Sequence, residues 1–277
     1  DQARKTFYQG FVAEAMERFC LNEEVLDNSG RIHKGVLNGQ DLAGWEATYE
    51  APLTYHYAGL EIGKCGPWSQ GPVQLQTLAL LNEMGVADWN PVSTDFVHGV
   101  TEALKLAFAD REAYYGDPDF VKVPLKQLLS REYNRERSKE ISDRASLELR
   151  PGKISGFEVR MPEFDSSGRG DERFSAMGIG EPTVSKKGET LGDTCHVDVV
   201  DRWGNMVSAT PSGGWLQSSP VIPELGFCLN SRAQMFWLQE GLPATLAPGK
   251  RPRTTLTPSM ALRDRKGYLA YGCLLYT

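Results

Sequence analysis

Residues 192–214 read GDTCHVDVVDRWGNMVSATPSGG, and this stretch divides the chain into two kinds of sequence. From Cys195 to Asp201 the chain places His196, Asp198 and Val200 on one face and Val197 and Val199 on the other, the period of a half-buried strand. Asp201-Arg202-Trp203-Gly204-Asn205 supplies turn chemistry and Met206 to Thr210 restarts a strand, so a β-hairpin is predicted. Thr194 stands at the first position of that strand, directly after Gly192-Asp193. Read without its surroundings, a Thr there is ordinary strand-edge chemistry, because Thr favours pleated backbone. Upstream the periodicities are mainly helical and downstream mainly strand-like, which predicts an α+β fold with a sheet covered by helices.

The 277 residues are enough for one large domain or two modest ones with a substantial core,. Hydrophobic residues make up 40% and charged residues 24%, with a mild net charge of -6, so there is no basic footprint for nucleic acid. No run approaches the ~20 apolar residues of a membrane helix. The five Cys are widely spaced without a C-x-x-C pair and the four His are scattered, which suggests neither a disulfide framework nor a metal site. No cofactor is expected.

Phe7, Phe11, Ala15 and Phe19 recur at helical spacing and predict one helix over 6–20. Leu53 to Ile62 predicts a strand, and residues 63–72, rich in Gly and Pro, a loop. A buried helix is predicted over Pro72 to Met84. Another, capped by Ser93 or Thr94, carries Phe96, Val97, Val100, Leu104, Ala107 and Phe108 inward and stops at Gly116 through a left-handed cap. Leu125 to Asp143 predicts a further helix with one solvated face. Residues 149–192 lose all periodicity and predict a long exposed or mobile connection. The Arg169-Gly170-Asp171 triplet and the Gly178-Ile179-Gly180 fragment within it lack the context that would give either a function. Leu225–Leu229 and Leu256–Arg263 predict strands, and Asp264-Arg265-Lys266-Gly267 turns the latter into a return strand over 267–272.

Taken together, AFADREAYYGDPDFVKVPLKQLLS at 107–130, the polar tract ending at Asp193, and TCHVDVVDRWGN at 194–205 resemble the γ-glutamyltransferase family (γ-glutamyl transpeptidases, or glutathione hydrolases) of N-terminal-nucleophile hydrolases. Phe7-Tyr8-Gln9-Gly10, Asp41-Leu42-Ala43, the Gly66-Pro67 to Gly71 loop and Lys250-Arg251-Pro252 to Pro258 are similar to further family signatures, so the resemblance runs over roughly 1–272. It implies an αββα four-layer sandwich, here incomplete at both ends. It also implies a proenzyme cut between Asp193 and Thr194, with a helical large-subunit-like region over 1–193, whose tract 149–193 is flexible, and a β-rich small-subunit-like region over 194–277. The two pieces would stay associated. Thr194 would be the nucleophile, activated by the α-amine that the cut frees, and would pass a γ-glutamyl or related acyl group, as from glutathione, to water or an amine. A periplasmic or extracellular location is implied, a cytoplasmic one being the second choice.

The same resemblance assigns Ser212 as the hydroxyl that hydrogen-bonds the nucleophile, and Thr254 and Thr255 as those that hold the substrate carboxylate. The position after the second hydroxyl, an Asn in the family, is Gly214. The acid that grips the γ-glutamyl amine falls at Met235 and a neighbouring amide at Arg232. A guanidinium cannot accept from an ammonium, but it can pair with a carboxylate, so an acylase for non-amino acyl groups such as glutaryl is a second reading. The family's oxyanion diglycine would follow Gly272, where the chain reads Cys273-Leu274-Leu275-Tyr276-Thr277, and its carboxylate-binding Arg would precede Asp1. The expectation is therefore the middle of a longer protein, with a catalytically inactive fragment or homologue as a third reading.

Overall fold

The computed structural model describes residues 1–26, 31–163, 195–213, 219–230 and 232–272. In chain order come α1 (Gln2–Gln9), α2 (Phe11–Asn22), the two-residue strands β1 (Val25–Leu26) and β2 (Ile32–His33), α3 (Gly39–Gly44), β3 (Leu53–Tyr57), β4 (Leu60–Lys64), α4 (Gly71–Glu83), α5 (Thr94–Tyr114), α6 (Leu125–Leu128) and α7 (Arg131–Ser138). The hairpin strands β5 (Val197–Val200) and β6 (Met206–Ala209) follow, then β7 (Val221–Ile222), β8 (Phe227–Cys228), β9 (Ser259–Arg263) and β10 (Lys266–Tyr271). This is an α+β arrangement around an antiparallel sheet in the order β10-β9-β4-β3. β9, from the C-terminal third of the chain, pairs with β4 from the N-terminal third, Glu61 opposite Leu262 and Lys64 opposite Ser259.

Helix α4 lies between two packed layers. Its Leu75 joins Ile62 and Ala261 of the sheet, whereas Val73, Leu80 and Leu81 join Ala103, Leu106, Ala107 and Ala113 of α5. Helix α5 starts where expected, the Ser93 hydroxyl accepting from the Phe96 N–H at 3.1 Å. It ends differently: Tyr115 turns to extended backbone at φ -84, ψ 141, and Gly116 is not in the left-handed region. Gly116 is instead a contact point, since a Cβ there would lie 2.4 Å from the Pro243 carbonyl oxygen. Val97 and Leu104 of α5 face outward.

Several expected elements are interrupted. The helix expected over 6–20 breaks at Gly10, which is extended at φ -112, ψ -152, and a glycine costs a helix about 1 kcal/mol relative to Ala. Phe11 is consequently exposed, and Val12, Met16 and Cys20 form the inward face. The single strand expected over 53–62 is a hairpin: Ala58 and Gly59 have φ of 49 and 77, the left-handed pair of a two-residue turn that suits strand twist. The return strand β4 occupies the start of the expected loop. The helix expected over 125–143 divides at Leu129, and the Ser130 hydroxyl caps α7 by accepting from the Tyr133 N–H at 3.2 Å.

Residues 149–163 are not the exposed connection their composition suggests. Gly152 donates its N–H to Asp110 Oδ1 at 2.6 Å and accepts from the Tyr114 hydroxyl at 2.6 Å, and Ile154 is buried in the main core. The rest of the expected connection, 164–192, lies outside the described residues. Hairpin β5–β6 forms as expected, with Asp201 accepting from Trp203, Asn205 and Gly204 in its turn. Its half-burial is not found, because Val197, Val199 and Val207 are all exposed. Among the described residues, no helix is long and apolar enough to cross a membrane.

Candidate functional site

A cleft of about 1060 Å³ opens where the ends of β4 and β9 meet the loop after Trp45, the loop at 117–119, residues Ser208, Ser212, Asn230 and Arg232, and the segment 249–258. Ser212, Arg232 and Thr254 all line it. Thr255 is buried behind them and meets the cleft through Arg232, whose Nη1 lies 3.4 Å from Thr255 Oγ1. Four of the expected site residues thus converge. Asp193, Thr194 and Gly214 lie outside the described residues. Met235 is buried at the end of a single 3-10 turn, Arg232–Met235, without lining the cleft.

Local backbone sets these positions. Asn230 Oδ1 accepts from the Arg232 N–H at 2.7 Å and fixes the start of that turn. Gly213 has φ +106, and a Cβ there would come 2.9 Å from Asn230 Nδ2, so a glycine lets the chain pass the amide closely,. The Thr254 N–H donates to the Trp68 carbonyl at 2.9 Å, while its hydroxyl accepts from the Leu256 N–H at 3.2 Å.

The loop that carries Thr254 is held by an ionic clamp. Arg251 donates through Nη2 to Asp117 Oδ1 at 3.1 Å and through its backbone N–H to Asp117 Oδ2 at 2.8 Å. Arg251 Nη1 pairs with Glu50, the guanidinium stacks over the Trp68 ring at 5.2 Å, and Trp68 Nε1 donates to the other Glu50 oxygen at 2.8 Å. Burial alone would raise the carboxyl of Asp117, but the hydrogen bonds from the Arg251 side chain and backbone outweigh it and hold Asp117 below the usual carboxylate range. The same balance, with Arg251 and Trp68 as donors, lowers Glu50. Arg253, a buried cation, pairs with Glu112 at 2.8 Å one residue before Thr254.

Lys64, at the end of β4, is buried and lines the cleft; its Nζ donates to the Thr257 carbonyl at 2.9 Å and to the hydroxyls of Thr257 and Ser259. Across hairpin β5–β6, His196 Nδ1 lies 2.8 Å from Thr210 Oγ1 and His196 Nε2 2.8 Å from Asp198 Oδ2. Among the described residues, no group of three or more His, Cys, Asp or Glu could hold a metal ion.

A sequence model of the gamma-glutamyltranspeptidase family matches residues 1–274. The chain belongs to this family. Curated relatives include the glutathione hydrolase proenzyme of Bacillus subtilis subsp. natto, 29% identical over 96% of this chain and 41% of the relative. The acylase ACY 1 proenzyme of Pseudomonas sp. strain SE83 is 32% identical over 86% of this chain and 37% of the relative. Among solved structures, a LmbA2991 variant is 52% identical with a TM-score of 0.82, covering 97% of this chain and 43% of the other. The cephalosporin acylase of Bacillus halodurans is 26% identical with a TM-score of 0.65, covering 96% and 40%. The chain spans about two fifths of the length of these relatives.

Around this cleft, sequence reading missed Glu50, Lys64, Trp68 and the role of Asp117. Asp117 reads as helix-stop chemistry, and its partner is 134 residues away, a pairing that no local pattern encodes. Lys64 carries the faintest signal, a cation among Gly and apolar residues at a strand end.

Proposed function

We propose that this chain carries the acyl-transfer centre of a self-cleaving amidohydrolase of gamma-glutamyltranspeptidase type, with Thr194 as nucleophile. The observation that carries this is that Ser212, Arg232 and Thr254, which the family resemblance assigns to the site, line one cleft, while Cys195, the residue after Thr194 in sequence, donates its N–H to the carbonyl of Pro211, the residue before Ser212, at 3.2 Å.

Hydrolysis of the Asp193–Thr194 peptide bond converts the Thr194 amide nitrogen into an α-amine of pKa about 7.7–8, unprotonated often enough near neutrality to take the hydroxyl proton. Thr194 Oγ attacks the amide carbonyl of the donor, the carbon–nitrogen bond breaks, and the leaving amine departs with that proton. The resulting ester is resolved by water, giving a hydrolase, or by a second amine, giving a transferase. Ser212 holds the Thr194 hydroxyl; the hydroxyls of Thr254 and Thr255 receive the donor's carboxylate. The donor class is a γ-glutamyl compound such as glutathione, by analogy with the relatives named for glutathione hydrolysis.

The cut would separate 1–193 from 194–277, and two features support their staying together: β9 of the second piece pairs with β4 of the first, and Arg251 and Arg253 of the second pair with Asp117 and Glu112 of the first. The likeness to LmbA2991 and the cephalosporin acylase supports the αββα four-layer sandwich as the fold of the whole.

A second reading, an acylase for carboxylate-bearing groups such as glutaryl, is favoured by one observation: buried Arg232 lines the cleft, where a cation suits a carboxylate and repels an ammonium. In the full-length protein, Thr194→Ala is expected to abolish both splitting and amide hydrolysis. A Thr194→Ala protein that still runs as two pieces on a denaturing gel overturns the assignment.

A further inference from the structure

We propose that Asp198 is a positioning residue: it sets the tautomer of His196, and through it holds Thr210 and the strand ends that carry the nucleophile and Ser212. The consequence for the reaction rests on the function proposed above.

His196 stands directly opposite Thr210, because Val197 pairs with Ala209 and the Cys195 N–H reaches the Pro211 carbonyl. Asp198, two residues along the same strand, shares the face of His196. Both ring nitrogens are occupied, Nδ1 by Thr210 Oγ1 and Nε2 by Asp198 Oδ2, each at 2.8 Å. A carboxylate only accepts, so Nε2 must carry the ring proton. In the neutral imidazole Nδ1 then has the lone pair and the Thr210 hydroxyl must donate to it. Moving the proton to Nδ1 would set a bare nitrogen against the carboxylate, and turning the ring over would replace both nitrogens by C–H groups, so the Asp198 contact fixes both tautomer and ring orientation, as a carboxylate does behind a functional imidazole.

The ring is also held from its flat side. A Cβ on Gly272 would fall 2.0 Å from His196 Cε1 and 2.3 Å from Nδ1, so the imidazole lies against bare backbone at the end of β10. The His196 side chain is 11% exposed and that of Asp198 26%, while Thr210 is buried. His196 lies two residues after Thr194, and Thr210 two before Ser212. A clasp between His196 and Thr210 therefore fastens β5 to the strand end two residues before Ser212, next to the point where the Cys195 N–H meets the Pro211 carbonyl. A purely apolar cross-strand pair would hold the hairpin but would not fix which way Thr210 Oγ1 points.

The test uses the full-length protein labelled with 15N-histidine. The His196 signal, assigned by its loss in His196→Gln, is expected to show the Nε2–H tautomer in the parent and a mixture in Asp198→Ala. Asp198→Asn, which keeps an acceptor oxygen, is expected to retain the parent tautomer. Asp198→Ala is expected to lower the rate of self-cleavage and kcat by about 10-fold or more with KM unchanged, as loss of a carboxylate behind a histidine does elsewhere, and Asp198→Asn to restore most of both. Thr210→Val, which removes the hydroxyl without touching Asp198, should reproduce the kcat loss. An Nδ1–H tautomer in the parent, or parent-like kcat and processing in both Asp198→Ala and Thr210→Val, overturns the proposal. If Thr194→Ala still splits, the nucleophile assignment fails separately, and the tautomer measurement alone decides the role of Asp198.

Discussion

The Asp117 carboxylate takes two hydrogen bonds from Arg251, one from the backbone N–H at 2.8 Å and one from Nη2 at 3.1 Å. A single acid at the exit of α5 thereby fixes both the backbone and the side chain of a residue three positions before Thr254. Asp117 is 2% exposed, so removing it leaves the Arg251 donors facing a space that water reaches poorly. Asp117→Ala is expected to cost about 1–3 kcal/mol, measured as a lowered denaturant midpoint with an unchanged slope, and to raise KM through the loosened Thr254 loop.

The same carboxylate gives a signed pH dependence. Asp117 is held below its ordinary value when folded, so its contribution is fully present above the unfolded value of about 3.9 and is lost as pH falls through the folded one. Buried Asp110 works in the opposite sense: burial raises its carboxyl against the pull of Arg137, Gly152, Gln76 and Tyr133, and its stabilisation is lost as pH rises through the folded value. The total curve mixes the two. The difference in melting temperature between the parent and Asp117→Asn isolates Asp117; it is expected to be constant from pH 6 to 8 and to shrink below about pH 4. A difference that grows on acidification contradicts the clamp.

Gly152 tests the packing of a segment whose composition suggests a linker. A Cβ there would fall 2.0 Å from the Tyr133 hydroxyl and 2.7 Å from Arg137 Nε, displacing two of the groups that face Asp110. Gly152→Ala is expected to destabilise by about 1–3 kcal/mol, a fall of several degrees in melting temperature. Gly44→Ala, where a Cβ would meet nothing within 4 Å, is the control and should melt with the parent.

These cases show where sequence reading works and where it stops. Helices α4 and α5 and the turns at 201–205 and 264–267 are legible because each depends on residues within one helical turn or one hairpin. The Ala58-Gly59 turn is hidden because apolar and aromatic residues continue across it, so that a hairpin reads as one long strand. Residues 149–163 mislead because glycine marks both linkers and close approaches, and only Asp110, 42 residues from Gly152, shows which one applies. At the site, the hydroxyls of Ser212, Thr254 and Thr255 are found through resemblance to a family. Asp117, Glu50 and Trp68 are not, since what they do is hold Arg251, and that relation exists only once the chain is folded.

Ser212 is expected to act through its hydroxyl alone. Ser212→Ala should slow both self-cleavage and turnover by about 10- to 100-fold, the kinetic equivalent of one lost hydrogen bond of about 1–3 kcal/mol. Ser212→Thr should keep both near the parent rate, because it retains the oxygen. Equal losses in the two variants would mean that the position is sensitive to shape and not to the hydroxyl.

Arg232 separates the two acyl readings. It is buried, held at its N–H by Asn230 and at Nη1 by Thr255, and it lines the cleft beside Ser212 and Thr254. If it receives a second carboxylate of the donor, Arg232→Gln removes a charge-assisted bond of about 1.5–3 kcal/mol. That predicts a fall of about 10- to 100-fold in kcat/KM for glutaryl anilide. A γ-glutamyl donor presents an ammonium, which the parent guanidinium repels, so its kcat/KM should hold or rise in the same variant. The ratio of the two kcat/KM values is the measurement, since it cancels any general damage to the site. A ratio unchanged by Arg232→Gln removes the glutaryl reading and leaves Arg232 as a brace for Thr255.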